Sequence, residues 1–263
     1  SLASLQLAAH DNKQKDTNSS SNNAAAIVPV QKAMSLDVSQ QLQQILDTVI
    51  VDERANFPGV ILRIESAKGV WNGVAGVNDL ESKEVIEPQA KFRAGSILKT
   101  FISTVILQLM EEGKLKLNDT MPQLLPAKVS ELFEHNNDIT LKMLLNHTSG
   151  IADWVGNDYE KLLDGNSFKH VWQDAEFLDM AAKIGTQFKP GERYEYNNTE
   201  YTLLGMIIEA KTGASWRENI RQRIFAKLKL ENTSLPEPGN VKMTGSFVHG
   251  YEKFSTGITD TSE

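Results

Sequence analysis

The stretch RAGSILKTFISTVILQLMEEG, residues 93–113, limits the possible folds most severely. Between Phe101 and Met110 apolar residues fall on every helical face, and Glu111, Glu112 and Gly113 close the run with Gly113 as C-cap. A helix of that kind belongs in a core, covered all round. Its first turn carries Ser96 and Lys99, three residues apart and so on one face, at the end where core meets cleft. A serine hydroxyl is a poor nucleophile until its proton is taken, and a lysine amine takes it only where the ammonium form is disfavoured. Burial and the positive end of the helix dipole both act in that direction. The helix start also leaves the Ser96 backbone N–H free to face a developing oxyanion. Ser-x-x-Lys turns up by chance about once in a chain of this length, so the motif gains weight only from its surroundings.

With 263 residues and 40% apolar content the chain fills one large domain or two small ones. A formal net charge of -7, and no Lys/Arg cluster interleaved with aromatics, speak against a nucleic-acid partner. No apolar run reaches membrane-spanning length, and there is no cysteine for a disulfide, a thiolate metal site or a thiol nucleophile. Residues 1–34 read as a disordered tether, because DNKQKDTNSSSNNAAA has too little apolar surface to offset its ordering entropy. Before it, SLASLQLAAH reads as the tail of a secretory signal with a small-residue cleavage site near Ala8 and Ala9, which predicts a periplasmic or secreted protein.

From Leu36 the apolar positions Leu42, Ile45, Leu46 and Val49 predict an amphipathic helix ending before Pro58. GVILRIES at 59–66, a turn at Lys68 and Gly69, and VWNGVAGV at 70–77 predict a β-hairpin. Residues 113–188 read as a helical region, in which His147 stands where a helix ends and is expected to bond free carbonyls of its last turn. Trp154 lines a cleft rim or simply packs. Tyr196 and Asn198, a phenol and a carboxamide two residues apart on a loop, can face one cleft as proton carrier and amide ligand. The structural alternative is a turn in which Asn198 caps the next helix.

Taken together, FRAGSILK at 92–99, LQLMEEGKLKLND, ITLKMLLNHTSGI and PGERYEYNNTEYTLLGMIIEAKTG resemble the serine β-lactamase and penicillin-binding protein superfamily. Tyr-x-Asn at 196–198 points to the branch of class C β-lactamases, D-alanyl-D-alanine carboxypeptidases and related esterases. The resemblance implies an α+β fold over 35–263, an antiparallel sheet flanked by helices with the helical region inserted. It also implies acyl transfer without metal or cofactor: Ser96 attacks, Lys99 and Tyr196 carry its proton as one titrating unit, and Asn198 holds an amide of the substrate. The implied partner is a small molecule or peptide, whether a peptidoglycan stem peptide, a β-lactam or an ester. The family's third motif, Lys/His-Thr-Gly on a late strand, is not found in that context. Lys211-Thr212-Gly213 spells it, but as a helix stop with Gly213 as C-cap. The last strands are therefore expected to lie outside this chain, as the front part of a longer polypeptide. Three activities stay open: a D,D-peptidase or penicillin-recognising hydrolase, an esterase, and a sensor that binds without turnover.

Overall fold

The computed structural model describes residues 6–7, 32–51, 58–155, 170–254 and 257–262. Most of the signal-like segment and of the proposed tether falls outside these residues. The chain divides into two compact units, a helical one built mainly from Arg93–Val241 and a sheet-bearing one built from Leu7–Phe92 together with Lys242–Glu263.

In the sheet-bearing unit, α1 (Leu36–Val51) precedes the antiparallel strands β1 (Gly59–Ser66) and β2 (Gly69–Gly76). Ser66 pairs with Gly69, so the turn is Ala67-Lys68, one residue earlier than the sequence predicts. Alternation along β2 turns Trp71 and Ala75 to one face, where Leu46 of α1 meets them with Leu42, Ile50, Val60 and Ile64 around the cluster. Lys32 and Met34, within the stretch read as tether, bond the backbone of Val70: its N–H donates to Lys32 at 2.8 Å and its carbonyl accepts from Met34 at 3.0 Å. A second hairpin joins β3 (Tyr251–Phe254) to β4 (Gly257–Asp260).

The helical unit opens with a 3-10 turn, Gly95–Ile97, that runs into α2 (Leu98–Glu111). Leu98, Ile102, Val105, Ile106 and Leu109 are at most 1% exposed, but Thr100, Thr104, Leu107 and Glu111 form a solvent-facing stripe. The expectation of a helix covered all round is therefore corrected. Thr100 and Thr104 bond carbonyls of their own helix at 2.7 and 2.6 Å, so that face needs no protein cover, and only Leu107 on it is large and apolar. Gly113, with φ +72, ends the helix by donating to Met110 at 2.9 Å.

Among the described residues four short helices follow, α3 (Met121–Leu124), α4 (Ala127–Ser130), α5 (Leu141–Leu145) and α6 (Asp174–Ile184). They lead to α7 (Asn198–Thr212), in which Thr199 to Gly205, Ile207 and Ile208 are buried, so this is the covered helix of the unit. Helices α2, α5 and α6 pack on it. Gly213, left-handed at φ +74, stops it, and Lys211 Nζ donates to the Gln123 carbonyl at 3.0 Å. Next come α8 (Trp216–Ile220), a π turn (Arg221–Phe225) and α9 (Ala226–Leu228). A small antiparallel sheet and many helices match the predicted fold class.

Candidate active site

Ser96 sits in the 3-10 turn ahead of α2 rather than in its first α-helical turn. Gly95 turns the chain there at φ +50, a conformation that costs glycine little and other residues more. Lys99, one turn on, is 7% exposed, and its Nζ donates to Ser96 Oγ at 3.1 Å and to Asn198 Oδ1 at 2.7 Å. Both acceptors are neutral. The ammonium position also lies 4.8 Å from the Tyr196 ring centroid and 5.6 Å from that of Tyr201, within cation–π range. Tyr196 OH donates to Ser96 Oγ at 2.6 Å, and Tyr196 is 44% exposed. Ser96, Lys99, Tyr196 and Asn198, two pairs far apart in the sequence, thus meet in one hydrogen-bonded group.

The loop before α7 explains how they meet. Asn197 is the N-cap, its Oδ1 accepting from Glu200 N at 3.1 Å, while its Nδ2 donates to the Ile151 carbonyl at 2.6 Å. Capping therefore falls to Asn197, and Asn198 as first helical residue keeps its amide for the site. That amide has one possible orientation. Lys99 only donates and a carboxylate only accepts, so Oδ1 faces Lys99 while Nδ2 donates to Asp153 Oδ2 at 2.9 Å. Asp153 is itself held by Val155 N–H on Oδ1 at 3.1 Å. Trp154 is placed differently: its ring lies 4.1 Å from that of Phe177 in α6, and its backbone N–H donates to Thr199 Oγ1 at 3.0 Å.

His147 departs from expectation. It follows α5 at φ +61, and its Nδ1 meets Glu200 Oε2 at 2.6 Å instead of a free helix carbonyl. Glu200 Oε1 accepts from Ser149 Oγ at 2.6 Å and Ser149 N at 3.2 Å. Burial pushes the Glu200 carboxyl up from its usual range against the bonds from His147 and Ser149, which pull it down. Neither Asp153 nor Glu200 stands out in the sequence as a site residue. The one signal for Glu200 is that it is the sole charged residue in NTEYTLLGMII.

Among the described residues no cluster of His, Cys, Asp or Glu is arranged to hold a metal ion, and no helix is long and apolar enough to cross a membrane. Protein flp of Staphylococcus aureus (strain MRSA252) is 31% identical over 203 residues, covering 75% of this chain and 39% of that protein. Penicillin-binding protein 4 of Amycolatopsis lactamdurans is 32% identical over 190 residues, covering 69% of this chain and 46% of that protein. This chain thus spans less than half the length of either. The crystal structure of a D-stereospecific amidohydrolase from a Streptomyces species superposes with a TM-score of 0.71 at 29% identity, covering 85% of this chain and 64% of that one. The β-lactamase family profile matches residues 40–256, and the chain belongs to that family, within the serine β-lactamase and penicillin-binding protein superfamily.

Proposed function

We propose that this chain performs acyl transfer through a serine ester and hydrolyses an amide next to a D-configured residue, such as the D-alanyl-D-alanine end of a peptidoglycan stem peptide or its β-lactam mimic. One observation carries the reading: Ser96 Oγ lies 2.6 Å from Tyr196 OH and 3.1 Å from Lys99 Nζ. Ser96 Oγ bonds to the carbonyl carbon while its proton passes to the Lys99–Tyr196 couple. The couple returns a proton to the leaving nitrogen as the C–N bond breaks. Water then attacks the ester, and Ser96 recovers its proton as the acid leaves. The second hydrogen of Asn198 Nδ2, beyond the one given to Asp153, is available to a substrate carbonyl. The D-configuration is supported by the D-stereospecificity of the Streptomyces amidohydrolase and by the penicillin-binding relative. A stem peptide lies outside the cytoplasmic membrane, where the signal-like first residues would send the chain.

Intact-mass measurement with a fluorescent penicillin tests the proposal. Ser96→Ala is expected to abolish the adduct, and Lys99→Ala to slow its formation by about 100- to 10,000-fold. Tyr196→Phe keeps the ring and removes the proton carrier, so it slows acylation, deacylation or both. An adduct forming at the normal rate in Ser96→Ala would overturn the assignment. Turnover of short-chain esters with no turnover of a D-alanyl-D-alanine peptide would replace the peptidase with an esterase.

A further inference from the structure

Behind the proposed catalytic group lies a carboxylate that the reaction above does not use. Glu200 is 1% exposed, and an ionised carboxylate at such a depth is costly unless its oxygens are fully bonded. Here they are bonded by one loop, through Ser149 Oγ, Ser149 N and His147 Nδ1. Serine, histidine and glutamate are the members of a hydrolytic triad, but the connections differ. Ser149 donates to the carboxylate rather than to the imidazole and is 0% exposed, so no second nucleophile is built here.

The imidazole faces three phenol rings. Its centroid lies 4.8 Å from Tyr196, 5.2 Å from Tyr201 and 5.8 Å from Tyr194. Tyr196 and Tyr201 are the rings that Lys99 Nζ approaches. We propose that Glu200 and His147 form a positioning pair: Glu200 fixes the imidazole, the imidazole holds the Tyr196 ring with its hydroxyl on Ser96, and the pair's negative charge balances Lys99. This rests on the acyl-transfer reading.

One proton lies between His147 Nδ1 and Glu200 Oε2, since two groups with lone pairs do not approach to 2.6 Å without one. Asn197 N–H approaches the same nitrogen at the longer distance of 3.3 Å, so that proton stays within the His147–Glu200 contact, between a neutral imidazole and a carboxylate. With one proton the pair carries a single negative charge, and a second proton at lower pH removes it. Among the described residues, the titratable rings against the imidazole are Tyr194, Tyr196 and Tyr201, and Lys99 lies over the last two.

Glu200→Gln keeps the side-chain shape and removes the charge. Steady-state hydrolysis of a D-alanyl-D-alanine peptide by the full chain is expected to show kcat lower by roughly 10- to 100-fold, with KM within about threefold. The acid limb of kcat/KM moves to lower pH by about half a unit or more, because removing a negative charge eases proton loss from the couple. His147→Asn separates ring from charge. Asparagine tolerates the left-handed backbone at 147 and keeps a donor for Glu200. Its kcat is expected to fall while the acid limb stays in place. A folded Glu200→Gln protein with wild-type kcat and an unmoved limb overturns the pair. If that variant does not fold, wild-type kcat in His147→Asn does so instead. A wild-type chain that never acylates overturns the acyl-transfer reading, and the pair with it. A Ser96-dependent adduct in the wild type, with both variants unchanged, overturns the pair alone.

Discussion

Asn198 holds its amide between a donor and an acceptor that cannot exchange roles, so the carboxylate of Asp153 fixes which end of the amide meets Lys99. Asp153→Asn replaces a pure acceptor with a group that can donate, and the amide loses its enforced direction. Acylation by a fluorescent penicillin, followed by stopped flow, is expected to slow about tenfold, while thermal stability changes by less than about 1.5 kcal/mol. An unchanged acylation rate would mean that Lys99 alone orients the amide. Ser96 with Lys99, and Tyr196 with Asn198, are legible in the sequence because each pair is local. Asp153 and Glu200 are not, because their partners stand 45 and 53 residues away, and only the folded chain brings the 147–155 loop against the start of α7.

At the level of elements, the same loop depends on its backbone. Gly150 has φ +78, and an added Cβ would lie 2.0 Å from the Phe188 carbonyl oxygen. Gln187 N–H donates to the Gly150 carbonyl at 2.8 Å, so neither strand of the loop has room to withdraw. Gly150→Ala is expected to cost about 3 kcal/mol in urea unfolding, from left-handed strain together with the clash; a loss under about 1 kcal/mol would show that the loop relaxes. Helix α2 gives a sharper contrast. Its apolar run suggested cover on every side, because Leu107 and Ile106 look alike in a sequence. In the fold Ile106 is 0% exposed and Leu107 is 56% exposed. Ile106→Ala is expected to cost about 2–5 kcal/mol and Leu107→Ala less than about 0.5 kcal/mol. Equal losses in the two variants would show that the outer face of α2 is covered in solution. Hairpin and helix stops were legible because turn residues and glycines are local signals. The division of capping between Asn197 and Asn198 was not, since either side chain suits an N-cap and packing decides which one turns outward.

For the molecule as a whole, pH separates two glutamates of opposite sign. Bonds from Arg223 and then Lys114 lower the Glu112 carboxyl from 4.5 to about 2, so its contribution is present above pH 4.5 and lost as pH falls toward about 2. Glu200 runs the other way. Burial raises it from 4.5, so its contribution is present below pH 4.5 and lost as pH rises through the higher folded value. The surroundings differ as well: Glu112 is solvent-exposed with its partners at 2.5 Å and 2.8 Å, and salt screens such a pair, whereas Glu200 lies where salt does not reach. Urea unfolding of the wild type, Glu112→Gln and Glu200→Gln between pH 2.5 and 7.5 is therefore expected to give two curves of opposite slope. The wild type's advantage over Glu112→Gln should shrink as pH falls below 4.5, and should shrink again in 0.5 M salt at neutral pH. Its advantage over Glu200→Gln should shrink as pH rises above 4.5, with no response to salt. A Glu200→Gln difference that stays flat across that range would mean that Glu200 keeps its charge in the folded protein as easily as in the unfolded chain, with Ser149 and His147 offsetting the whole cost of burial.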